Sequence, residues 1–407
     1  MIQIAILGFG VVGSGVLEVI EKNSNSIAAK TGDQIAVKHI LDIRDFKGHE
    51  FEHLFTKDYN DILDDPEVSI VVEVIGGVEP AYTYTMQAFE RGKSVVTSNK
   101  ELVATHGADL LACARKNKVH YMFEASVGGG IPIIRPLNQC LAANEISEIM
   151  GILNGTTNYI LTQMIKKGQT FEDALKEAQE KGYAERDPKA DVEGIDACRK
   201  IAILTSLISG KEVDCNKIST EGITAITLED VKYAESLNCV IKLVGVGRKC
   251  GEKVFARVSP LMLPSDHPLA GIEDVFNGIL VVGDATGDVM FYGKGAGKLP
   301  TASAVVADVI DIAKNKGKDV KFLWQPNQDD SFMIDIEQTS SKFFLRTKGG
   351  SREMLEEVFP NASFVSLSLD SEIALITEEI QEGIFRKKTE DLKRSGCQVR
   401  SVIRTLI

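Results

Sequence analysis

Four side chains in the stretch Gly182-Tyr183-Ala184-Glu185-Arg186-Asp187-Pro188-Lys189-Ala190-Asp191-Val192-Glu193-Gly194-Ile195-Asp196-Ala197-Cys198-Arg199-Lys200 have the types and spacing for chemistry. Asp196 and Lys200 stand four apart at the head of an apolar helical pattern running from Ile195 to Ile208, so they share a helix face. Glu185 and Asp191 arrive from the turn-rich loop just upstream. A carboxylate cluster closed by a lysine can grip a small cationic substrate and move a proton. On spacing alone, the same residues also read as a solvated acidic loop beside an ordinary helix salt bridge.

A second set of residues lies at the N-terminus. Ile2 to Leu7 reads as a strand buried on both faces, and it delivers Gly8-Phe9-Gly10-Val11-Val12-Gly13 into the helical run Ser14 to Lys22. In that order the motif suits a dinucleotide. Gly8 makes the tight turn, Gly10 lets a pyrophosphate approach the main chain, and Gly13 lets helix and strand pack closely. The pyrophosphate would lie on the helix N-terminus, where free N–H groups and the dipole favour an anion.

The elements that must position these groups come in alternation. Asn23 to Gln34 extends the first helix or its loop before a second strand, Ile35 to Ile43, whose end carries Asp42, Arg44 and Asp45. An acid there would bond an adenosine ribose and an arginine would accommodate a 2′-phosphate, so NAD and NADP both stay open. Strand Val68 to Ile75 ends in Gly76-Gly77, which fit a cofactor passing overhead or a simple turn. Helix Ala81 to Arg91 and strand Ser94 to Thr97 come next. Ser98-Asn99-Lys100 then places a lysine at the carboxyl edge of the sheet, where ligands bind in open α/β folds. After helix Gly107 to Lys116 and strand Val119 to Glu124 comes Ala125-Ser126-Val127-Gly128-Gly129-Gly130-Ile131-Pro132. Its three glycines suit a hinge or, through main-chain oxygens, a monovalent cation.

The whole chain sets the bounds. Its 407 residues suit two or three domains, and 44% hydrophobic with 26% charged residues is the composition of a globular protein. A net charge of −12 argues against nucleic acid and anionic membrane as partners. No apolar run approaches the roughly 18 residues of a membrane span, and the N-terminus is a strand rather than a cleavable leader. The seven cysteines are scattered without Cys-x-x-Cys or Cys/His spacing, which fits reduced thiols in a cytoplasmic protein and no zinc site.

Gly151-Ile152-Leu153-Asn154-Gly155-Thr156-Thr157-Asn158-Tyr159-Ile160-Leu161 reads as a strand end, an N-cap threonine and a helix start. Taken with Ser98-Asn99-Lys100, Glu124 to Pro132 and Gly182 to Lys200, it closely resembles homoserine dehydrogenase, the four motifs standing in the family's order. The resemblance runs from Gly8 to roughly Lys314. It implies NAD- or NADP-dependent interconversion of L-homoserine and L-aspartate 4-semialdehyde, run in the reducing direction in threonine, methionine and isoleucine biosynthesis. It implies that Lys200 protonates the carbonyl oxygen as hydride arrives, with Lys100 as its partner near the nicotinamide. Glu185 and Asp196 would hold the substrate ammonium with Asp191 in the same cluster, and Gly155 and Thr156 would also touch the substrate. A lysine charged at neutral pH can give that proton; in the oxidative direction it must be neutral. The cofactor would lie along Gly8, Phe9, Gly10, Val11, Val12 and Gly13, with Arg44, Gly76, Gly77, Thr97, Ser98, Asn99, Lys100, Gly182 and Gly295 around it. A sodium ion would sit at Glu124, Val127, Gly129 and Ile131, mostly on main-chain oxygens.

The implied fold is α/β with three parts. Residues 1–130 form a Rossmann-type NAD(P) domain, to which helix 301–314 returns after the turn Tyr292-Gly293-Lys294-Gly295-Ala296-Gly297. Residues 131–300 form an α+β catalytic and dimerisation domain with a mixed sheet, so a homodimer or higher oligomer is expected. A linker through Lys316-Gly317-Lys318 and Gln325 to Asp330 leads to residues 330–407, read as strand Phe343 to Thr347, helix Ser351 to Phe359, strands Ser363 to Leu369 and Glu372 to Thr377, helix Phe385 to Ser395 and strand Val399 to Leu406. That βαββαβ order resembles an ACT domain, regulatory or structural. The family's loop after the first strand carries an acid and a proline-glycine turn; here it is Lys348-Gly349-Gly350, with no local acid for an effector's ammonium and Asp370 and Glu372 as the nearest candidates. Threonine is therefore expected to bind poorly and the tail to serve structure. With no kinase segment before Met1, a monofunctional enzyme is expected.

Two rivals predict different residues. An aspartate-semialdehyde dehydrogenase needs a nucleophilic cysteine, and Cys113, Cys140 and Cys198 lie in helical runs without a neighbouring base. A non-catalytic nucleotide sensor has no need of both lysines.

Overall fold

The computed structural model describes residues 1–315, 324–367, 369 and 371–407. Lys316-Gly317-Lys318 of the expected linker and Asp370 lie outside the described residues, as does Ser368 near the end of the expected strand Ser363 to Leu369. Contacts divide the chain into two compact units. One is Met1–Glu145 with Ala202–Cys215 and Phe291–Gln328; the other is Ile146–Ile201 with Asn216–Met290 and Asp329–Ile407.

The first unit is built on β1 (Ile2–Leu7), α1 (Val11–Thr31), β2 (Ile35–Leu41), β3 (Phe55–Thr56), α2 (Asn60–Leu63), β4 (Val68–Glu73), α3 (Ala81–Glu90), β5 (Ser94–Thr97), α4 (Lys100–Lys116) and β6 (Tyr121–Met122). The strands form one parallel sheet in the order β3-β2-β1-β4-β5-β6. The continuous apolar runs reflect this. Ile4, Ala5, Ile6 and Leu7 are fully buried because helices cover both faces. The order reverses between β1 and β4, so their carboxyl ends, at Gly8 and Val74, frame the crevice where such sheets bind ligands.

Several boundaries in this unit differ from the sequence reading. β2 stops at Leu41 and β4 at Glu73, two residues early in each case, which frees Asp42 and the Gly76-Gly77 turn. β6 is only two residues long, and Glu124–Ser126 is a 3₁₀ turn. α4 begins at Lys100 rather than Gly107, because the Asn99 side chain caps it by accepting from the Leu102 N–H. Gly107 is no breaker: it lies inside the helix, where the ring of Trp324 leaves about 3.0 Å to any Cβ. Gln325, expected in a linker, is tied by bonds to Gly210 and Glu212.

The second unit contains β7 (Ile146–Ile152), α5 (Gly155–Lys167), α6 (Phe171–Glu180), α7 (Lys189–Val192), α8 (Ile195–Ser209) as far as Ile201, β8 (Ser219–Thr220), α9 (Leu228–Ser236), β9 (Cys239–Cys250), β10 (Lys253–Pro264), β11 (Phe276–Gly283) and β12 (Gly287–Lys294) as far as Met290. After α10 (Lys298–Lys314), which belongs to the first unit, come β13 (Ser340–Lys348), α11 (Arg352–Val358), β14 (Ser363–Phe364, shorter than the expected Ser363 to Leu369), β15 (Glu372–Ile376), β16 (Ile380–Gln381), α12 (Glu382–Arg394) and β17 (Gln398–Thr405). One mixed sheet of eleven strands runs through the unit; its main path is β12-β11-β7-β9-β10-β17-β13-β15-β14, with β8 and β16 at its sides. The join is the parallel pairing of β10 with β17, Leu261 to Arg404 and Met262 to Thr405. The tail strands therefore continue the sheet of the preceding segment. Their own core is Phe343, Leu345, Leu355, Phe359, Leu375, Phe385 and Leu392, with Phe343 and Phe385 stacked at 3.7 Å. α12 starts three residues before the expected Phe385, since Glu382 turns inward to a buried arginine.

Candidate active site

β7 leads through Leu153 and the extended N-cap Asn154 into α5, and Asn154 is the hub of the site. It, not a threonine, caps α5: its Oδ1 accepts the Thr157 N–H at 2.8 Å. Its Nδ2 donates to Asp191 Oδ1 at 2.7 Å and to Asp196 Oδ2 at 2.9 Å. A neutral amide thus draws two like-charged carboxylates to one point, an arrangement that needs donors or a cation to be stable. Lys200 supplies a cation: its Nζ lies 2.7 Å from Asp196 Oδ2 and donates to the Leu153 carbonyl at 2.7 Å. Asn154, Asp196 and Lys200 are all buried, Lys200 to 7% exposure. An ion pair at this depth differs in kind from a solvated helix pair.

Around this core, Gly155 opens α5 against the Val275 carbonyl, and Thr156 Oγ1 donates to the Tyr183 carbonyl at 2.7 Å. That bond ties the first turn of the helix to the acidic loop, and the Tyr159 and Tyr183 rings meet edge-on at 5.0 Å. Gly182 turns the chain after α6 with φ 74°. Glu185 is exposed and its main-chain carbonyl accepts from Gln179. The structure thus brings Asp191, Asp196 and Lys200 together and sets the Glu185 side chain in solvent.

In the first unit the glycine motif has the geometry its spacing implies. A Cβ at Gly13 would run into the Gly8 carbonyl, whereas one at Gly10 would meet nothing within 4 Å. Gly10 is the N-cap of α1 and no side chain caps that end, so its first-turn N–H groups face an open approach with no side-chain acceptor. A pyrophosphate fits there. Val11 beside it is 67% exposed, and Val12 is half-buried. Phe9 donates its N–H to Asp42 Oδ2 at 2.8 Å, and its ring packs on Phe46 and Phe55. Arg44 grips the same carboxylate through Nε and Nη2 and reaches the Phe9 carbonyl at 2.8 Å. Hydrogen bonds from Arg44 hold the Asp42 carboxyl well below the usual range against the opposing effect of its burial. Asp42 and Arg44, alternatives in the sequence, are one ion pair in the fold.

Beyond β4, Asn99 Nδ2 donates to the Gly77 carbonyl and its own N–H goes to Thr97 Oγ1, so Gly76-Gly77, Thr97 and Asn99 form one framework. Glu73 completes it, accepting from Thr97 Oγ1 at 2.6 Å and from the Ile75 N–H at 2.8 Å; burial raises its pKa. Ser98 is half-buried and Lys100 is the first residue of α4. Farther along, both carboxylate oxygens of Glu124 are engaged by the N–H groups of Ile133, Ile134 and Arg135. A cation on this loop would therefore need main-chain oxygens. Val127 and Ile131 are buried, and Gly129 lies against the Gly295 carbonyl. Among the described residues no group of three or more His, Cys, Asp or Glu could hold a metal ion.

Comparison with known proteins is decisive. The homoserine dehydrogenase NAD-binding domain matches residues 8–124, and the homoserine dehydrogenase domain matches residues 132–310. A homoserine dehydrogenase of Pseudomonas aeruginosa is 40% identical over 391 residues, 94% of this chain and 90% of that protein. The chain belongs to the homoserine dehydrogenase family. The enzyme's structure is similar to that of a homoserine dehydrogenase from Thiobacillus denitrificans, with 38% identity, TM-score 0.92, and 99% and 98% of the two chains covered. It also resembles a hyperthermophilic archaeal homoserine dehydrogenase mutant in complex with NADPH, at 30% identity and TM-score 0.65, over 76% of this chain and 97% of that one. The enzyme is thus an NAD(P)-dependent oxidoreductase.

Sequence reading misses the parts that act through others. It selects a threonine as the cap in place of Asn154, though a strand leading into Asn and Gly before a helix is an N-cap signal. Glu73 ends a buried strand, where an acid among valines is the available hint. Asp308, whose carboxylate accepts the Glu124 N–H at 2.8 Å, leaves no signal, because its partner is 184 residues away. Burial pushes its pKa well up. The thiol rival finds no support: Cys113 and Cys198 lie within α4 and α8, and Cys140 is exposed.

Proposed function

We propose that this homoserine dehydrogenase binds its substrate by the ammonium group at Asp191 and Asp196, with Glu185 joining from the loop, and uses Lys200 as the acid–base group. The observation that carries this is the Lys200–Asp196–Asn154–Asp191 chain of bonds, each 2.7 to 2.9 Å long and buried up to Asn154. Two carboxylates converging on one donor suit a cation with three N–H bonds to give. Gly155 and Thr156 shape the turn that holds the cluster. Lys200 gives its proton to the carbonyl oxygen of L-aspartate 4-semialdehyde in reduction and takes it from the hydroxyl of L-homoserine in oxidation. Bound NAD(P)H supplies the hydride. Lys100 is the second lysine of the reaction, opposing negative charge as it develops on that oxygen.

The cofactor pyrophosphate belongs on Gly8 to Gly13, beside Phe9, Val11 and Val12, and Arg44 belongs to its adenosine end. Gly76, Gly77, Thr97, Ser98, Asn99, Gly182 and Gly295 complete that set. Sodium is assigned to the main-chain oxygens of Glu124, Val127, Gly129 and Ile131. We assign residues 1–130 and helix 301–314 to NAD(P) binding, 131–300 to catalysis and dimerisation, and 330–407 to an ACT-like domain. The tail's strand order β17-β13-β15-β14 with two helices supports that last assignment. A homodimer is supported by the sheet edge at β12, which exposes Met290 and Tyr292. Work in the cytoplasm, in threonine, methionine and isoleucine synthesis, fits this chemistry; among the described residues no helix is long and apolar enough to cross a membrane. Purified protein with homoserine and either NADP or NAD at alkaline pH should produce the near-ultraviolet absorbance of reduced nicotinamide. No absorbance change with either cofactor would refute the proposal.

A further inference from the structure

The acidic loop is braced from behind by a short strand, and that strand is held by the last strand of the tail. β8 pairs in parallel with β10, and the Glu221 N–H continues the ladder to the Val258 carbonyl at 2.8 Å. The next residues touch the loop itself. Ile223, fully buried, donates its N–H to the Val192 carbonyl at 2.9 Å, and a Cβ on Gly222 would run into that same carbonyl. From the other side, a Cβ on Gly194 would come within 3.2 Å of Thr220 and Val258. Residues 192–194 thus cannot shift independently of 220–222, and they connect Asp191 to Asp196.

Glu221 is in turn fixed by the tail. Its Oε2 accepts from Arg404 Nη1 at 2.8 Å, while Arg404 Nε and Nη2 donate to the two oxygens of Glu382 at 2.6 Å each. Arg257 Nη1 joins through Ser341 at 2.8 Å and the same Glu382. Arg404 and Glu382 are buried, whereas the Glu221 side chain is 47% exposed. An exposed carboxylate contributes little by itself. Here its partner is a planar fork already immobilised by a bidentate acid, so the carboxylate inherits that position.

We propose that Glu221 is a positioning residue for the substrate. Arg404 on β17 fixes Glu221, the segment 220–222 fixes the backbone at 192–194, and the tail thereby sets how tightly Asp191 and Asp196 hold the homoserine ammonium. This rests on the reading of that cluster as the ammonium site, and the test separates the two. In the full-length enzyme, Glu221→Ala should raise the homoserine KM roughly five- to thirty-fold, with kcat and the NADP KM within about twofold. Arg404→Lys should act in the same direction, the double variant should be no worse than the poorer single one, and Glu221→Asp should recover part of the loss. If Arg404→Lys fails to fold, the Glu221 variants alone decide. A folded Glu221→Ala enzyme with an unchanged homoserine KM, or with equal rises in both KM values, overturns the positioning role. Asp196→Asn, measured alongside, distinguishes the failures. A raised homoserine KM there with none in Glu221→Ala removes only the positioning role, and no rise in either removes the ammonium site as well.

Discussion

Two of the ionic clusters in the second unit, at the acidic loop and in the tail, are built on opposite plans. At the acidic loop a lysine meets one carboxylate and a main-chain carbonyl, with an amide between two acids. In the tail an arginine fork is filled by Glu382 and Glu221. Burial works against the Arg404 charge, and its hydrogen bonds to these two acids more than offset it, so its pKa is raised. Arginine stays charged in proteins and serves as a fixed strut, whereas lysine can lose its proton and so can do acid–base work. The two clusters differ in their cation, a lysine able to lose its proton in one and an arginine held by its acids in the other.

The sharpest way to break this contrast is to exchange the cation. Lys200→Ala should lose kcat by about two to four orders of magnitude, the scale of a positioned acid–base group. Lys200→Arg should lose nearly as much, because it keeps the charge and cannot cycle a proton. Cofactor affinity should hardly change in either variant. Steady-state kinetics giving Lys200→Arg near-normal turnover would show that only charge matters here.

The carboxylates come next. Asp196→Asn should raise the homoserine KM about ten- to a hundredfold, since it removes a charge-assisted bond at a buried site. Glu185→Gln should have the smaller effect, because its side chain stands in solvent. Equal, negligible effects in a KM titration of both variants would make the acidic loop mere surface.

The tail should answer to structure before it answers to a ligand. The loop Lys348-Gly349-Gly350 offers N–H groups to an amino-acid carboxylate, while Glu372, a candidate for the ammonium, is committed to Arg346 Nη1 at 2.8 Å. Millimolar threonine should therefore inhibit weakly or not at all. Ending the chain near Gln325 should lower thermal stability and solubility, because it strips β17 from β10 and bares a strand edge. Strong threonine inhibition that disappears in a stable shortened protein would reverse this expectation.

The smallest effect concerns a third buried cation. Lys242 on β9 donates to the Ile272 carbonyl and to Asn158 Oδ1, and burial brings its pKa down to about 8. Below that pH the folded state carries a desolvated ammonium that the unfolded chain keeps in water, which costs stability. Between about 8 and the ordinary 10.5 the unfolded state binds more protons, so stability rises with pH. Relative to Lys242→Met, the wild type should gain roughly 1 to 3 kcal/mol across that window in denaturant titrations. A difference independent of pH would mean that Lys242 is not titrating there.

By itself the sequence determined the parts whose signals are local. The glycine motif after β1, the alternation that makes the parallel sheet, the Asp196–Lys200 pair on one helix face and the two helices of the tail all rest on spacings of a few residues. Element ends moved where a side chain overrode the pattern: Asn99 started α4 seven residues early, and Glu382 started α12 three early. Only the tertiary structure decided that Asn154 gathers Asp191 and Asp196, that Asp42 and Arg44 are one pair rather than two alternatives, and that β17 extends the sheet of β10. Each of these depends on groups that meet only in the fold, from 2 residues apart for Asp42 and Arg44 to 143 for Met262 and Thr405. At the longer separations no periodicity survives to be read: burial selects the partner, and burial exists only once the chain has folded.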